Sequence, residues 1–399
     1  MKKILILGGT LFQIPAIQYA KQQGYYVITC DYLPENPGHA YADEYHNVST
    51  TDKEGVLALS RQLAIDGILC FASDPAAPTA AYVSEQMGLP GNPLSKVEVL
   101  GEKHHWRKFL KENGFHTPQA KAYDALDDLL NDTWEFPVMM KPIDSSGSKG
   151  VTKVQKQEEL KGAFEYALVY SRAKIVIVEE FIERVGPQIG GDGFFGEDKL
   201  EFVCLGDQVV DASINPYVPC GMKFPADISE ELAEDIKKEL ERAISLVGLK
   251  NLSFNLEVML DKRGRIFLME IGPRNGGNCI PEVIYNYTGV DMVGLAVEAA
   301  MGNERIVFTT QKKNSSFYAY YALHSDEKGV YNGFSVTEDF KGKITHFYLF
   351  KEKGALVSEF HGSNETIGIL LLEFESRRDM DEFFANPLKQ LMINIDESK

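Results

Sequence analysis

The stretch NLSFNLEVMLDKRGRIFLMEIGPRNGG, residues 251–277, constrains the fold of this chain more than any other. Two apolar runs flank the polar turn sequence DKRG, and this pattern predicts a β-hairpin. With that turn, Glu257 lies opposite Leu268 in the predicted register. The same register places Asn255 opposite Glu270. Because side chains alternate between faces along a strand, both acids and Asn255 share one face of the hairpin.

The other face of the predicted hairpin carries an unbroken apolar set. Its members are Phe254, Leu256, Val258, Leu260, Phe267, Met269 and Ile271. The hydrophobic pattern selects this register, because a slip by one residue would bury an acid and expose the core. In this register Glu257 and Glu270 are diagonal neighbours, about 7–8 Å apart at the backbone.

Two carboxylates on one face repel each other unless a cation lies between them. Oxygen ligands without histidine or cysteine suit Mg²⁺, which takes one or two carboxylates and completes its shell with phosphates and water. The pair formed by Glu257 and Glu270 therefore indicates a magnesium site. The alternative is a solvated sheet face, on which Lys262, Arg265 or Arg274 pairs with the acids.

The length and charge of the chain narrow the class of protein. A chain of 399 residues is too long for one ordinary core, so we expect two or three domains. A net charge of −17 argues against nucleic acid as a partner, because a polyphosphate needs a basic face. No apolar run approaches about 20 residues, so we expect no contact with a membrane interior. Five scattered cysteines indicate reduced thiols in a cytoplasmic protein.

The order of the apolar segments predicts an α/β fold, α+β overall, in three parts. Residues 1–98 alternate strands with helices, which is typical of a Rossmann-like parallel sheet. A stretch rich in glycine and proline, residues 88–95, ends this part, and residues 99–302 form the central part. Residues 303–399 carry aromatic and β-branched segments separated by turns, which predict a mostly antiparallel β domain.

The glycine turn LGGTLFQIP after the first strand raises the alternative of an NAD(P)-dependent oxidoreductase. The GxGxxG fingerprint is absent, since Gly8 and Gly9 are adjacent and Phe12 and Gln13 follow. Those glycines normally provide the tight turn and the close approach to a pyrophosphate. We therefore interpret the turn as an ordinary strand-to-helix connection, with Asp31 ending the second strand.

Two lysines and a glycine-serine loop indicate an anion site upstream of the hairpin. Lys141 ends a strand just before the loop Ser145–Gly150, and Lys103 lies near a helix start. Small residues let backbone N–H groups approach an anion, and helix starts attract phosphate. The alternatives are a plain hairpin turn and a solvated lysine, because no GxxxxGK[ST] motif is present.

Taken together, in this order and spacing, these segments resemble the ATP-grasp superfamily. The resemblance covers about residues 96–300 and extends to both flanking parts, and the three-part layout is similar to purine-biosynthetic, biotin-carboxylase-like and carbamoyl-phosphate-synthase-like members. The segments that carry it are Lys103 in GEKHHWRKFL, Lys141 in FPVMMKPIDSSGSKGV, IVEEFI at 177–182, Glu257 in FNLEV, and EIGPRNGG at 270–277.

The resemblance implies a two-lobed nucleotide domain with a lid lobe at about 122–178, and it implies a role for each matching residue. The implied ATP contacts are Lys103, Lys141, Ser146, Ser148, Glu179, Glu180, Phe181, Ile182, Gln188, Met259 and Leu268, with Met139 as a further apolar wall. The implied metal ligands are Glu257, Glu270 and Asn275, and the implied catalytic residues are Arg274, which faces the reacting carboxylate, and Lys141.

The chain departs from the family pattern at two positions. Many members have a metal-binding asparagine where this chain has Gly272, so Asn255, Asn275 or a water molecule is expected to substitute. Gln188 stands where a glutamate commonly lies beside the ribose, which leaves Asp192 as the nearby acid.

The resemblance implies a ligase that uses ATP and Mg²⁺, with Mn²⁺ as an alternative ion. Such an enzyme converts a carboxylate into an acyl phosphate that an amine then attacks, so its partners are small molecules, and a homodimer is compatible with the resemblance. The narrower alternatives are a phosphoribosylglycinamide synthetase-like, a carboxyaminoimidazole-type or a carbamoyl-phosphate-synthase-like ligase. Outside ligases, the oxidoreductase and a non-catalytic nucleotide-binding module stay open.

Overall fold

A computed structural model describes residues 1–145, 147–303 and 316–396 of the chain. Ser146, one of the expected ATP contacts, lies outside the described residues.

The N-terminal part is a parallel sheet with helices on its faces, as predicted. Its four strands are ordered β3-β2-β1-β4, and all neighbours are parallel. The strands are β1 (Lys3–Leu7), β2 (Tyr26–Cys30), β3 (Glu44–His46) and β4 (Gly67–Cys70), and the helices are α1 (Ile14–Gln22), α2 (Lys53–Leu63) and α3 (Ala77–Met87). Short 3-10 helices lie at Leu11–Gln13, Pro37–Tyr41 and Asp74–Ala76. The strand interiors read as continuous apolar runs because both faces of such a sheet are covered.

A small antiparallel sheet follows two helices. The helices α4 (Leu94–Gly101) and α5 (Lys103–Glu112) precede strands ordered β5-β8-β6-β7. The elements of this lobe are β5 (Ala120–Tyr123), α6 (Leu126–Leu130), β6 (Val138–Pro142), β7 (Thr152–Val154), a 3-10 helix at Gln157–Glu159, α7 (Leu160–Tyr170) and β8 (Val176–Glu180). Helix α7 packs on the sheet through Leu160, Phe164 and Ala167, which are buried.

A large antiparallel sheet joins the central part to the C-terminal part. Its eight strands are ordered β13-β12-β9-β10-β11-β14-β18-β16. The remaining described elements of the chain, which include the three strands of a further sheet, are β9 (Ile189–Phe195), β10 (Leu200–Val210), β11 (Pro219–Phe224), α8 (Glu230–Val247), β12 (Leu252–Leu260), β13 (Ile266–Gly272), α9 (Ile280–Thr288), α10 (Met292–Ala300), β14 (Phe317–Leu323), β15 (Gly329–Val336), α11 (Glu338–Lys341), β16 (Ile344–Leu349), β17 (Leu356–Val357), a 3-10 helix at Ser363–Glu365, β18 (Gly368–Phe374), α12 (Arg377–Ala385), a 3-10 helix at Pro387–Lys389 and β19 (Leu391–Asp396).

The C-terminal strands are antiparallel, as predicted, and they divide between two sheets. Strand β14 pairs with β11, so the C-terminal β14, β18 and β16 continue the sheet of the central part. A second, three-stranded sheet is ordered β17-β15-β19. The domain boundaries at residues 98 and 302 stay predictions.

The hairpin of β12 and β13 has a different register from the predicted one. Glu257 lies directly opposite Glu270, whereas Val258 lies opposite Leu268, so Met269 is an extra residue in a β-bulge. The prediction that Glu257 faces Leu268 was wrong. The apolar pattern could not reveal the bulge, because Leu268 and Met269 are both apolar and either can point to a buried face.

Helix α5 holds the bulge in place. Trp106 Nε1 donates to the carbonyl oxygen of Leu268 at 2.9 Å, and Arg107 Nη1 donates to that of Met269 at 2.7 Å. A bulge takes backbone groups out of the strand ladder, and buried carbonyls need other donors. The two side chains of α5 supply these donors, so the helix fixes the conformation of the strand that carries Glu270.

Gly191 in the middle of β9 is expected to tolerate no side chain. Its φ is +147°, and a Cβ there would lie 1.9 Å from the carbonyl oxygen of Cys204. We expect Gly191→Ala to lower the free energy of unfolding by at least about 3 kcal/mol. In the matched change Gly162→Ala, a Cβ meets nothing within 4 Å on helix α7. That control should leave stability equal or raise it by up to about 1 kcal/mol. Urea denaturation measures both, and equal effects would contradict the packing argument.

Candidate active site

A cavity of about 400 Å³, the main cavity, opens between the small sheet and the large sheet. It gathers most of the residues singled out from the sequence. Those that line it are Lys103, Lys141, Ser148, Glu179, Glu180, Phe181, Ile182, Gln188, Glu257, Met259, Glu270 and Arg274. Leu268 and Asn275 are not among its lining residues.

One end of the main cavity is apolar. Met139 and Ile182 are both 9% exposed, and they line it together with Met259 and Met269. Leu268, which was expected here, packs instead in the core on the other side of the hairpin. The bulge explains the exchange, because the extra residue turns Met269 towards the cavity and Leu268 away from it.

A buried acid organises the cationic side of the cavity. Glu179 is 1% exposed and pairs with Lys141 Nζ at 2.7 Å through Oε2. Its Oε1 lies 2.8 Å from Arg107 Nε. Burial works against ionisation of this carboxyl, but Arg107 and Lys141 outweigh burial and lower its pKa to about 2. Glu179 therefore stays ionised, and it positions Lys141 at the cavity wall.

Lys103, at the first turn of α5, connects the glycine-serine loop to the paired acids. Its Nζ donates to the carbonyl oxygen of Ser145 at 2.9 Å and lies 3.6 Å from Glu270 Oε2. Within the loop, Gly147 and Ser148 both have positive φ, at +67° and +57°. Lys103, Ser145, Gly147 and Ser148 all line the main cavity, so an anion there can meet the ammonium group and the loop together.

The two hairpin acids face each other across the strand pair. Glu257 Oε1 accepts a hydrogen bond from Gln208 Nε2 at 3.2 Å. Burial raises the pKa of Glu257, and repulsion from Glu270 raises it further. Two carboxylates in one cross-strand pair need added positive charge, and Lys103, 3.6 Å from Glu270, provides only part of it. The donor set, two carboxylates in a cavity lined by oxygen and amide groups, fits Mg²⁺.

Arg274 pairs with Asp74, a residue that no sequence pattern had indicated. Its Nε donates to Asp74 Oδ1 at 2.7 Å, its Nη2 donates to Asp74 Oδ2, and its Nη1 donates to the carbonyl oxygen of Asn275 at 2.9 Å. Asp74 follows β4 of the N-terminal sheet. The position of Asp74 could have indicated a role in the site, because ligands of open parallel sheets bind beyond the carboxyl ends of the strands.

Asn275, which was expected as a metal ligand, is not among the residues that line the main cavity, so its assignment stays a prediction. It is 1% exposed, and its Nδ2 donates to Asp192 Oδ2 at 3.2 Å. Asp192 is fully buried and also accepts from the backbone N–H of Gly276 at 2.8 Å and from Asn255 Nδ2 at 2.9 Å. Asp192 therefore holds the loop after β13 and is not available to a ribose. Of the two asparagines, Asn255 is the one that lines the main cavity.

The N-terminal glycine turn is closed by its own side chains. The N–H of Thr10 donates to Gln13 Oε1 at 2.8 Å, and a Cβ on Gly9 would lie 2.1 Å from the ring of His39. The N–H of Gly8 donates to the carbonyl oxygen of Cys30 at 2.9 Å. These groups occupy the space and the donors that a pyrophosphate would need, so the turn acts as a structural connection.

A family model described as ATP-grasp domain matches residues 134–282, which include three of the four strands of the small sheet, the lysine at 141 and both hairpin acids. The chain contains an ATP-grasp domain. The match confirms the resemblance to this family and covers four of the five segments that carry it, whereas the segment with Lys103 lies before residue 134.

Curated relatives are similar over part of their length. An uncharacterized protein from Sinorhizobium fredii is 24% identical over 65% of this chain and 55% of its own length. The carbamoyl phosphate synthase large chain of Clostridium beijerinckii is 20% identical over 75% of this chain and 29% of its own length. The chain thus spans about half or less of the curated relatives that it matches.

Solved structures share the fold of the whole chain. An L-amino acid ligase from Bacillus licheniformis superposes with a TM-score of 0.85 at 22% identity, over 100% of this chain and 99% of that one. Phosphoribosylglycinamide synthetase from Anaerococcus prevotii gives 0.77 at 22% identity, over 99% and 100%. The biotin carboxylase domain dimer of 2-oxoglutarate carboxylase from Hydrogenobacter thermophilus, in complex with MgADP, gives 0.75 at 16%, over 99% and 91%.

Among the described residues, none of the helices has both the length and the apolar composition that a membrane crossing requires.

Replacing Glu179 by glutamine tests its place between Arg107 and Lys141. The folded pKa of about 2 lies below the ordinary value of 4.5, so its contribution to stability is present above pH 4.5. It is lost as the pH falls from there towards 2. We expect Glu179→Gln to lower the free energy of unfolding at pH 7 by on the order of 3 kcal/mol.

Urea denaturation of both proteins across this pH range measures the difference. The matched change Glu197→Gln breaks an exposed pair with Lys250 and should cost less than about 1 kcal/mol. A difference between wild type and Glu179→Gln that does not shrink below pH 4.5 would contradict the ionised state assigned to Glu179.

Proposed function

We propose that the protein is an ATP- and Mg²⁺-dependent ligase, which activates a carboxylate as an acyl phosphate and joins it to an amine. The observation that carries this proposal is the convergence of two lysines and two facing acids in one cavity with an apolar end. The presence of an ATP-grasp domain and the ligase names of several similar proteins support it.

The apolar end of the main cavity suits an adenine ring. Met139, Met259, Met269 and Ile182 provide apolar contacts there, and the methionine sulfurs are polarisable. The last two residues of β8 and the two residues after the strand, 179–182 together, line the cavity and would bring backbone groups to the edge of the ring. The ribose would then lie towards Gln188, the polar residue on the same side.

The phosphates of ATP would lie towards the lysines. Lys103 and Lys141 offset the negative charge on the phosphoryl group during transfer, a reaction in which positioning and electrostatics dominate. Glu257 and Glu270 would hold Mg²⁺, with Mn²⁺ able to replace it, and the ion supplies further positive charge at the phosphates.

The reaction needs no nucleophile from the protein. A carboxylate oxygen of the substrate attacks the γ-phosphorus of ATP, and the bond to the β-phosphate oxygen breaks to release ADP. The nitrogen of a neutral amine then attacks the acyl carbon, the carbon–oxygen bond to phosphate breaks, and the nitrogen loses a proton to solvent. Arg274 lies at the cavity wall, where it can hold the reacting carboxylate and stabilise the tetrahedral oxyanion.

The assignment of the protein to one particular kind of ligase would rest only on its similarity to known proteins. The phosphoribosylglycinamide synthetase has the same fold, but identity at this level carries the fold and not the substrate. A homodimer is likewise suggested by the biotin carboxylase domain dimer and is part of the proposal only. The oxidoreductase alternative is not favoured, because the glycine turn is filled by Gln13 and His39.

Removal of the acid at Glu270 should abolish turnover. We expect Glu270→Gln to lower ATP-dependent release of ADP by at least about 100-fold, because one of two proposed Mg²⁺ ligands is lost. The matched change Glu201→Gln, on strand β10, should retain full activity. A coupled assay of ADP release across amino acids and purine-pathway intermediates measures both, and undiminished turnover in Glu270→Gln would overturn the metal assignment.

Metal removal should act on nucleotide binding itself. We expect ATP to bind to the wild-type protein with Mg²⁺ present and to lose at least about tenfold in affinity with EDTA, because the facing acids then repel the phosphates. Isothermal titration calorimetry measures this directly. In Glu270→Gln the dependence on Mg²⁺ should weaken, and an equal dependence in both proteins would place the ion elsewhere.

A further inference from the structure

Two adjacent histidines and one glutamate converge at the start of helix α5, and none of the three lines the main cavity. Glu102 is the last residue before the helix, and His104 and His105 lie in its first turn. One carboxylate oxygen and one nitrogen from each ring all lie within 4.8 Å of one another. Side chains of adjacent helical residues point about 100° apart around the helix axis, so this convergence of two neighbours on one acid needs a physical reason.

Capping of the helix does not explain the position of the Glu102 side chain. The backbone of Glu102 is extended, with φ −118° and ψ 120°, as is usual for the residue that precedes a helix. Its side chain nevertheless makes no capping hydrogen bond to the first turn. The carboxylate lies instead against the two imidazole rings.

The distances from the carboxylate to the two rings match the spacing of ligands around a metal ion. Glu102 Oε2 lies 3.6 Å from His104 Nε2 and 3.3 Å from His105 Nδ1. Both distances exceed the usual 2.7–3.2 Å of an N–H···O hydrogen bond. Ligand atoms that lie about 2.0–2.2 Å from a tetrahedral ion are separated by about 3.3–3.6 Å. The three side chains are therefore spaced as groups that share an ion.

The two rings present the form of histidine that binds metals. Their centroids are 4.0 Å apart, and two protonated rings at this distance would repel each other. Neutral rings avoid this repulsion, and the neutral imidazole is the metal ligand. Among the described residues, buried His104 Nδ1 has no hydrogen-bond partner. The nitrogen of this ring that faces the carboxylate is Nε2, which is thus the one available to an ion.

The surroundings of these three side chains admit a cation from solvent. The three are between 29% and 48% exposed. Lys103 lies between them in the sequence, but its ammonium group donates to the carbonyl oxygen of Ser145 and lies 3.6 Å from Glu270. A helix start disfavours a cation, but this effect is weak, and the negative charge of Glu102 opposes it.

We propose that Glu102, His104 and His105 form a binding site for Zn²⁺. Two imidazoles and one carboxylate are a ligand set that Zn²⁺ takes in proteins, with water in the fourth position. Mg²⁺ prefers oxygen ligands, so this site differs in chemistry from the facing acids Glu257 and Glu270. The inference goes beyond the proposed ligase function and does not depend on it. A bound ion fixes the first turn of α5, which also carries Lys103.

Isothermal titration calorimetry of Zn²⁺ into the metal-free protein, with excess Mg²⁺ present, tests the site. We expect the double change His104→Gln and His105→Gln to weaken Zn²⁺ binding by at least about 100-fold. The reason is that loss of a residue that only supports a metal ligand already costs about 10–100-fold. The matched change His361→Gln removes an exposed histidine that lies 2.9 Å from Glu359, and it should leave the affinity unchanged. No binding by the wild type, or an equal loss in the control, would overturn the proposal.

Two single variants distinguish this site from the facing acids. We expect Glu102→Gln to weaken Zn²⁺ binding by at least about tenfold, because a charged ligand is lost. Glu270→Gln should bind Zn²⁺ as tightly as the wild type does. An unchanged affinity in Glu102→Gln would remove the carboxylate from the site and overturn the proposal. A loss in Glu270→Gln as large as in the double variant would overturn it as well, because the ion would then lie at the facing acids.

X-ray absorption spectroscopy of the Zn²⁺-loaded wild type decides the proposal even if the double variant does not fold. We expect nitrogen and oxygen neighbours at about 2.0–2.2 Å, the scattering of two imidazole rings, and no sulfur neighbour. Sulfur at about 2.3 Å would place the ion at one or more of the five cysteines and overturn the proposal. Fewer than two imidazole rings would also overturn it.

Discussion

The buried carboxylate of Glu179 is the interaction on which the rest of the site depends. It lies on β8 of the small sheet and pairs with Lys141 on β6 and with Arg107 on helix α5. Arg107 in turn donates to the carbonyl oxygen of Met269 on β13 of the large sheet. One acid thus connects both sheets through a helix. Because a buried charge without partners is strongly unfavourable, these connections are kept together, and Lys141 is held at the wall of the main cavity.

The β-bulge at Met269 produces two features of the site at once. It brings Glu270 directly opposite Glu257, which creates the facing acids, and it turns Met269 into the cavity beside Met259. Trp106 and Arg107 stabilise the bulge, because their side chains donate hydrogen bonds to the backbone carbonyl oxygens of residues 268 and 269. The acidic pair and part of the apolar wall therefore have a single structural cause.

The sequence predicted those parts of the structure that follow from local pattern. Alternating strands and helices identified the N-terminal sheet, and the polar turn identified the hairpin. The register could not be obtained in this way, since adjacent apolar residues at 268 and 269 hide a bulge. Asp74 was missed because it lies 200 positions from its partner Arg274, and local periodicity carries no information on such a pair. The contact between Asn275 and the buried Asp192 was missed for a related reason, since Asp192 comes from another strand.

Gly272 shows why the N-terminal part belongs to the site. A Cβ at this position would lie 3.1 Å from Asp74 Oδ1, so the carboxylate occupies the space next to the backbone where a larger residue would begin its side chain. The absence of a side chain at 272 and the presence of an acid at 74 are therefore linked. A residue such as asparagine at 272 would press on Asp74 and disturb its pair with Arg274. Glycine at 272 thus leaves room for Asp74, so the N-terminal part contributes a charged group to the cavity wall.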